Sequence, residues 1–226
     1  MALTKLSSGT SKEQELLGTL EVNENRLYLF MKRLMDIFGA ICGLIFLSPI
    51  FIIVAIIIKL EDKKGSVFFK QIRVGKDGKE FGMYKFRSMV TDAEERLTDL
   101  LQHNEVSGAM FKMKDDPRIT KIGRFIRKTS IDELPQLLNV LKGEMSLVGP
   151  RPPLPREVKE YTAYDKQRLL VTPGCTGLWQ VSGRSSINFD GMVELDLIYI
   201  KKRSILFDMK IICKTVLLLL GSQDAY

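Results

Sequence analysis

Asp132 and Glu133 stand side by side, close behind a basic cluster of Arg124, Arg127 and Lys128. Ser130, three residues before Glu133, reads as a capping box ahead of LPQLLNVLK, which would place both carboxylates in the first turn of a helix. There the positive helix terminus and the nearby cations hold a carboxylate ionised and lower its pKa. Such a group can attack phosphorus or bind a divalent metal. A plain structural reading also fits: Glu133 completes the box and Asp132 favours the helix dipole. Arg151 lies between prolines in GPRPP, so its backbone is stiff and its guanidinium is preorganised to clamp a phosphate. Lys85 and Arg87 in YKFRSM, and Arg184 in VSGR, add cations beside tight backbone, although each taken singly also suits a solvated surface.

Other chemistries find little support. The sole histidine, His103, sits in the polar stretch LLQHNE and suits a solvated helix end, which argues against Ser-His-Asp or multi-histidine metal chemistry. Cys42, Cys175 and Cys213 are odd in number and widely spaced, so neither a disulfide framework nor a zinc site is indicated, and a reducing compartment is the natural reading. No GxGxxG or GxxxxGKS motif is present, so anion binding must come from side chains and turns. A formal charge of +7 and a length of 226 residues suit one basic domain with an anchor, and partners such as nucleic acid, anionic lipid or phosphorylated ligands. The basic residues are dispersed and lack aromatic interleaving, so no nucleic-acid partner is expected.

The elements that must carry these residues begin with a polar stretch over residues 1–25, read as a tail without structure of its own and not as a signal peptide. From Leu34 to Ile58 the chain is almost wholly apolar. As one helix that run would rise roughly 37 Å, enough to cross a bilayer. Ser48-Pro49 interrupts it, however, and both flanks are basic: Lys32 and Arg33 before, Lys59, Lys63 and Lys64 after. A proline kink with positive charge on both sides favours a re-entrant helix-break-helix that dips into one leaflet and returns. A kinked transmembrane helix and a buried core helix are the alternatives.

Beyond the anchor, strand-like residues flank Gly75-Lys76-Asp77-Gly78, whose Asp-Gly favours a hairpin turn. Thr91 with Glu94 marks a further helix start, and helical patterns return in MVELDLIYIKK and DMKIICKTVLLLL. In the last of these Lys210 and Lys214 lie beside an apolar face, as in an interfacial helix, and a C-terminal core helix is the equal alternative. The expected fold is therefore α+β and mostly helical. A re-entrant anchor over residues 26–62 would join a compact cytoplasmic catalytic domain over 63–226, with a small β-hairpin and interfacial amphipathic helices.

Four segments in order, KRLMDIFGAICGLIFLSP, YKFRSM, DPRITKIGRFIRKTSIDELPQLLNVLKGEMSLVGPRP and TPGCTGLWQVSGR, resemble the bacterial sugar transferase family, the monotopic polyprenyl-phosphate phosphoglycosyl transferases. The resemblance runs from about Lys32 to Leu220 and is to the short, single-anchor members. It implies a phosphotransferase at the cytoplasmic face of the bacterial inner membrane that moves a sugar phosphate from a UDP-sugar to polyprenyl phosphate and releases UMP. It makes Asp132 the nucleophile that forms a covalent phosphosugar intermediate and Glu133 a Mg2+ ligand. Arg127, Arg151 and Arg184 match phosphate-contacting positions, Asp208 matches a further acidic position near the site, and Ser48-Pro49 matches the re-entrant kink. Galactose, glucose and N-acetylated hexoses all remain open as the sugar. A membrane-tethered partner of polysaccharide assembly without turnover is the competing reading.

Overall fold

Pro49 decides the shape of the apolar N-terminal run. In the computed structural model, which describes residues 20, 22–100, 113, 115–183 and 187–221, helix α1 spans Arg26–Phe46 and α2 spans Ser48–Glu61. The Asn25 side chain caps α1 by accepting from the Leu27 and Tyr28 amides. Pro49 has no amide to donate to the Ile45 carbonyl, and the Ser48 hydroxyl donates to that oxygen instead, at 2.7 Å. The two axes bend by 59°. No single described helix is long and apolar enough to cross a membrane, whereas the bent pair is by length and composition. This is the helix-break-helix expected at Ser48-Pro49. Its outer surface exposes Phe30, Phe38, Ile45, Phe46, Ile52 and Ile53, a larger apolar face than a water-facing helix pair carries.

The inner surface of the pair carries polar groups bonded to the rest of the chain. Lys32 donates to Asp208 at 2.8 Å and to the Val148 carbonyl at 3.0 Å. Arg33 donates to the Val140 and Leu141 carbonyls at 2.6 and 2.7 Å, closing a helix C-terminus whose carbonyls would otherwise lack partners. Asp36 accepts from the Ser146 hydroxyl and the Leu147 amide, both at 2.9 Å. At the far end Asp62 holds Arg87 at 2.5 Å. Lys32 and Arg33 are therefore docking groups turned into the protein, and not a free basic flank of the apolar run. Residues before α1 also pack inward: Leu20 and Val22 lie against a core cluster, and Arg203 donates to the Asn23 carbonyl.

A hairpin of β1 (Phe68–Val74) and β2 (Glu80–Phe86) follows, antiparallel, with Phe69 opposite Lys85 and Arg73 opposite Phe81. Its turn places Asp77 and Gly78 in the left-handed region at φ 56° and 76°, the geometry that Asp-Gly favours. The remaining elements are α3 (Ala93–Leu100), α4 (Lys121–Lys128), α5 (Gln136–Lys142), β3 (Ser146–Val148), α6 (Pro155–Glu160), α7 (Ala163–Lys166), β4 (Gly174–Thr176), α8 (Phe189–Lys202) and α9 (Ile205–Gly221). β3 and β4 form a two-stranded parallel sheet. The backbones around this pair approach so closely that a Cβ on Gly149 would come within 2.6 Å of the Thr172 carbonyl, and one on Gly174 would collide with the Gly149 amide.

Three apolar clusters join the parts. One gathers Val148, Val193, Leu197, Tyr199, Ile200 and Ile211 under α8 and α9. A second seats Ala40 of α1 against Met83, Val140 and Met145, and a third seats Val54 and Ile58 of α2 against Phe86 and Ile126. The helix pair is thus part of the core on one side and exposes apolar side chains on the other. The outer face of α9 mixes exposed Leu206, Met209 and Leu217 with exposed Lys210 and Lys214, the composition of an interfacial helix.

Candidate active site

α4 is held at its N-terminus from two sides and carries Arg127, whose charge reaches Asp132, whereas its Arg124 and Lys128 are exposed. The Thr120 hydroxyl accepts from the Gly123 amide at 2.9 Å, and the Glu61 carboxylate at the end of α2 accepts from the Lys121 and Ile122 amides at 2.9 and 3.2 Å. A glycine is required at 123, since a Cβ there would strike the Ser88 carbonyl. After α4, Ser130 adopts a left-handed conformation at φ 57°, ψ 15°, and Ile131–Glu133 forms a single 3-10 turn. The expected capping box is absent: Ser130 makes no side-chain cap, and α5 begins only at Gln136. Pro135 is the reason, since it cannot donate to the Ile131 carbonyl as a helix begun at Ser130 would need. The Leu134 amide takes that carbonyl instead, at 3.1 Å.

The short turn divides three adjacent side chains. Ile131 packs on the cluster that contains Val54 and Ile58 of the anchor. Glu133 turns to the hairpin, where its Oε1 accepts from Lys85 Nζ at 2.7 Å. Asp132 is buried at 6 % exposure beside the charges of Lys85 and Arg127. Burial raises the Asp132 pKa, Lys85 and Arg127 oppose it, and the Glu133 charge adds to it, so the group lies above the usual carboxylate range. Glu133 goes the other way: burial works to raise it, but Lys85, Arg151 and Arg73 outweigh burial and hold it well below that range. Two adjacent carboxyls with opposite shifts are suited to different tasks.

Opposite Glu133 the chain from Gly149 to Pro153 is pinned at several points. Gly149 donates to the Thr176 carbonyl, Gly174 donates to the Pro150 carbonyl, and Val74 donates to the Pro153 carbonyl, each at 2.9 Å. Arg73 of β1 donates to the Pro152 carbonyl at 3.0 Å. Arg151 projects from this fixed loop onto a small cleft, open to solvent, whose wall also includes Arg73, Lys85, Glu133, Gln136, Cys175 and Gln180.

The structure brings Lys85, Glu133 and Arg151 onto one wall, with Asp132 adjoining and the charge of Arg127 facing it. Arg87 lies elsewhere, bonded to Asp62 where the anchor meets the hairpin. Asp208 is fully enclosed, accepting from Lys32, Tyr199 and Tyr28, and is absent from the cleft wall. Arg184 and His103 lie outside the described residues. Sequence reasoning passed over Arg73, Gln136 and Gln180. For Arg73 a signal existed, because hairpin alternation puts it on the same face as Met83 and Lys85. Among the described residues no group of three or more His, Cys, Asp or Glu could hold a metal by itself.

A profile of the family described as bacterial sugar transferase matches residues 27–222. The chain is 54% identical over 199 residues to the galactosyl transferase CpsE of Streptococcus agalactiae, which covers 86% of this chain and 43% of that protein. It is 44% identical over 227 residues to the undecaprenyl-phosphate galactose phosphotransferase of Salmonella typhimurium, covering 99% of this chain and 47% of that protein. With the exopolysaccharide production protein ExoY of Sinorhizobium fredii it shares 39% identity over 199 residues, 86% of this chain and 88% of that protein. The chain thus spans less than half the length of the first two relatives and most of the third.

Proposed function

The chain belongs to the bacterial sugar transferase family, and from that premise we propose that it transfers a sugar-1-phosphate from a UDP-sugar to polyprenyl phosphate. The product is a polyprenyl-diphosphate sugar, the first membrane-bound intermediate of an exopolysaccharide, capsule or wall polymer. The observation that carries this reading is the turn at Ile131–Glu133. One residue there packs on the apolar anchor, the next is a desolvated carboxylate, and the third lies on a cation-walled cleft. A soluble nucleotide and a lipid phosphate can meet only where a membrane-bound element and an anion-binding cleft adjoin.

In the first half-reaction an Asp132 carboxylate oxygen attacks the sugar-bearing phosphorus. The bond from that phosphorus to the bridging oxygen breaks, and its electron pair leaves with UMP. Asp132 then carries the phosphosugar as an acyl phosphate. In the second half-reaction a phosphate oxygen of the lipid attacks the same phosphorus, and the bond to Asp132 breaks, regenerating the carboxylate. Lys85, Arg127 and Arg151 supply fixed positive charge where charge accumulates, which is the main contribution a protein makes to phosphoryl transfer. Arg184, which lies outside the described residues, is a candidate for the same role by sequence alone.

Glu133 fits a magnesium ligand: it is held ionised, its side chain is 35% exposed, and it lies on the cleft wall. Mg2+ is commonly held by one or two carboxylates together with substrate phosphates and water, so a lone carboxylate here is an adequate protein contribution. The ion would neutralise charge on the diphosphate. The bent apolar pair and the proposed lipid substrate both support a membrane location, and we assign the protein to the cytoplasmic face, where UDP-sugars are available.

The names of the Streptococcus and Salmonella relatives refer to galactose, which makes UDP-galactose the first donor to test. Purified protein in lipid nanodiscs with polyprenyl phosphate, Mg2+ and a panel of UDP-sugars should release UMP with at least one donor. No UMP from any donor would remove the proposal.

A further inference from the structure

Arg73 is only 5% exposed, and its hydrogen bonds all go to neutral acceptors. Nε and Nη2 donate to Gln71 Oε1 at 3.1 and 2.7 Å, and Nη1 donates to the Pro152 carbonyl at 3.0 Å. A guanidinium carries five N–H groups, so further donors remain on the η nitrogens. Among the described residues Arg73 takes part in no ion pair.

Other arginines at comparable depth are treated differently. Arg87, Arg118 and Arg168 each hold a carboxylate, on Asp62, Asp116 and Asp196. Arg203 also lacks an ion pair, but it rests on the Asn23 carbonyl and the Tyr28 ring, away from the cleft wall. Arg73 is on that wall with Arg151 beside it. Burial and then the Arg151 charge push its pKa down to about 10, which is still high enough to keep it charged at neutral pH. The Glu157 and Glu133 charges favour its charged form without pairing with it directly; burying a cation without a directly bonded carboxylate is costly, and setting a second cation next to it adds to the cost. Lys85, the other cation on the wall, is already bonded to Glu133. The uncommitted positive charge of the cleft therefore belongs to Arg73 and Arg151, held on one rigid unit because Arg73 grips the Pro152 carbonyl next to Arg151.

We infer that Arg73 is a phosphate-binding residue which, together with Arg151, receives the phosphate of the departing nucleoside monophosphate. The inference deepens the transfer reading and rests on it for the identity of the ligand. It assigns a task to a residue at the end of β1, outside the carboxylate pair and the arginines that the sequence singled out. The guanidinium fork suits two phosphate oxygens at once, which a lysine at this position would not reproduce.

The test is direct binding of UMP and of uridine to the full chain in nanodiscs, comparing wild type with Arg73→Met and Arg73→Lys. A charge-assisted contact to phosphate predicts that Arg73→Met weakens UMP by roughly ten- to a hundredfold, with uridine affinity unchanged. Arg73→Lys keeps the charge without the fork and should restore part of the loss. It also covers the case in which Arg73→Met does not fold, since it should still bind UMP severalfold more weakly than wild type. Unchanged UMP affinity in the folded variants, or equal weakening of UMP and uridine, would overturn the inference and leave Arg73 as a brace for the Pro152 loop. The two readings fail separately. A wild type that turns over while Arg73 variants bind UMP normally removes only the Arg73 assignment. A wild type that releases no UMP from any donor, yet binds UMP through Arg73, removes only the transfer reading.

Discussion

Replacing Lys32 by methionine should undock the bent helix pair from the rest of the chain. Lys32 Nζ is the cation of a closed set: it donates to Asp208 Oδ2 at 2.8 Å, to the Val148 carbonyl at 3.0 Å and to the Tyr199 hydroxyl at 3.3 Å. The two side chains of the ion pair are 9% and 0% exposed. Methionine leaves the Asp208 carboxylate enclosed with only the Tyr199 and Tyr28 hydroxyls as donors. Removing one partner from a buried pair costs about 3–5 kcal/mol, because a charge is left without compensation. In a chain of this size each kcal/mol moves the melting temperature by roughly 2–4 °C, so a fall of roughly 6–20 °C is expected. Asp208→Asn alone should do similar damage by stranding Lys32. The double variant removes both charges and should lose far less than the two single losses added together, a coupling of about 2 kcal/mol or more. Thermal unfolding in nanodiscs, followed through Trp179, the only tryptophan in the chain and a buried one, reads all four proteins. Losses below about 1 kcal/mol, or simple additivity, would refute the claim that this pair holds the anchor.

Two further outcomes follow from the geometry. A cysteine introduced at Asn23 and one introduced at Lys64, in a background without Cys42, Cys175 and Cys213, should both react with a membrane-impermeant thiol reagent from the cytoplasmic side. Labelling from opposite sides would mean a spanning helix. The pKa of Asp132 is raised, and a nucleophile must be ionised, so kcat/KM for the UDP-sugar should fall as pH drops through a value above that of an ordinary aspartate, about 3.9. Activity that stays flat down to that value would show that burial does not govern this group.

Much of the fold was legible because local chemistry and tertiary packing agree. Ser48-Pro49 breaks the apolar run, and Asp77-Gly78 turns the hairpin, for reasons contained in those residues. The failures fall where the partner is distant in sequence. Ser130 and Glu133 have the spacing of a capping box, but Pro135 stops the helix and Lys85, 48 residues away, takes the Glu133 carboxylate. Lys32 and Arg33 look like a flank of the membrane segment, yet their acceptors lie more than a hundred residues downstream. Arg87 carries charge in a motif segment and Asp208 in the last helical pattern, but each is consumed in joining the bent helix pair to the rest of the chain. Arg73 was not singled out because its burial without a direct ion pair appears only once the packing is known. The carboxylate pair was visible as a candidate from types and spacing alone, whereas the opposite shifts of its two members depend on which side of one 3-10 turn each occupies.

The most direct measurement of the proposed chemistry is intact-protein mass spectrometry after incubation with the accepted UDP-sugar and Mg2+ in the absence of polyprenyl phosphate. The transfer scheme predicts one phosphosugar bound per chain, UMP released in equal amount, the adduct mapped to Asp132, and its disappearance when the lipid phosphate is added. Asp132→Asn should show neither adduct nor UMP while melting like the wild type. An unmodified chain that releases UMP only when the lipid is present, or an Asp132→Asn variant that still turns over, would contradict Asp132 as the nucleophile.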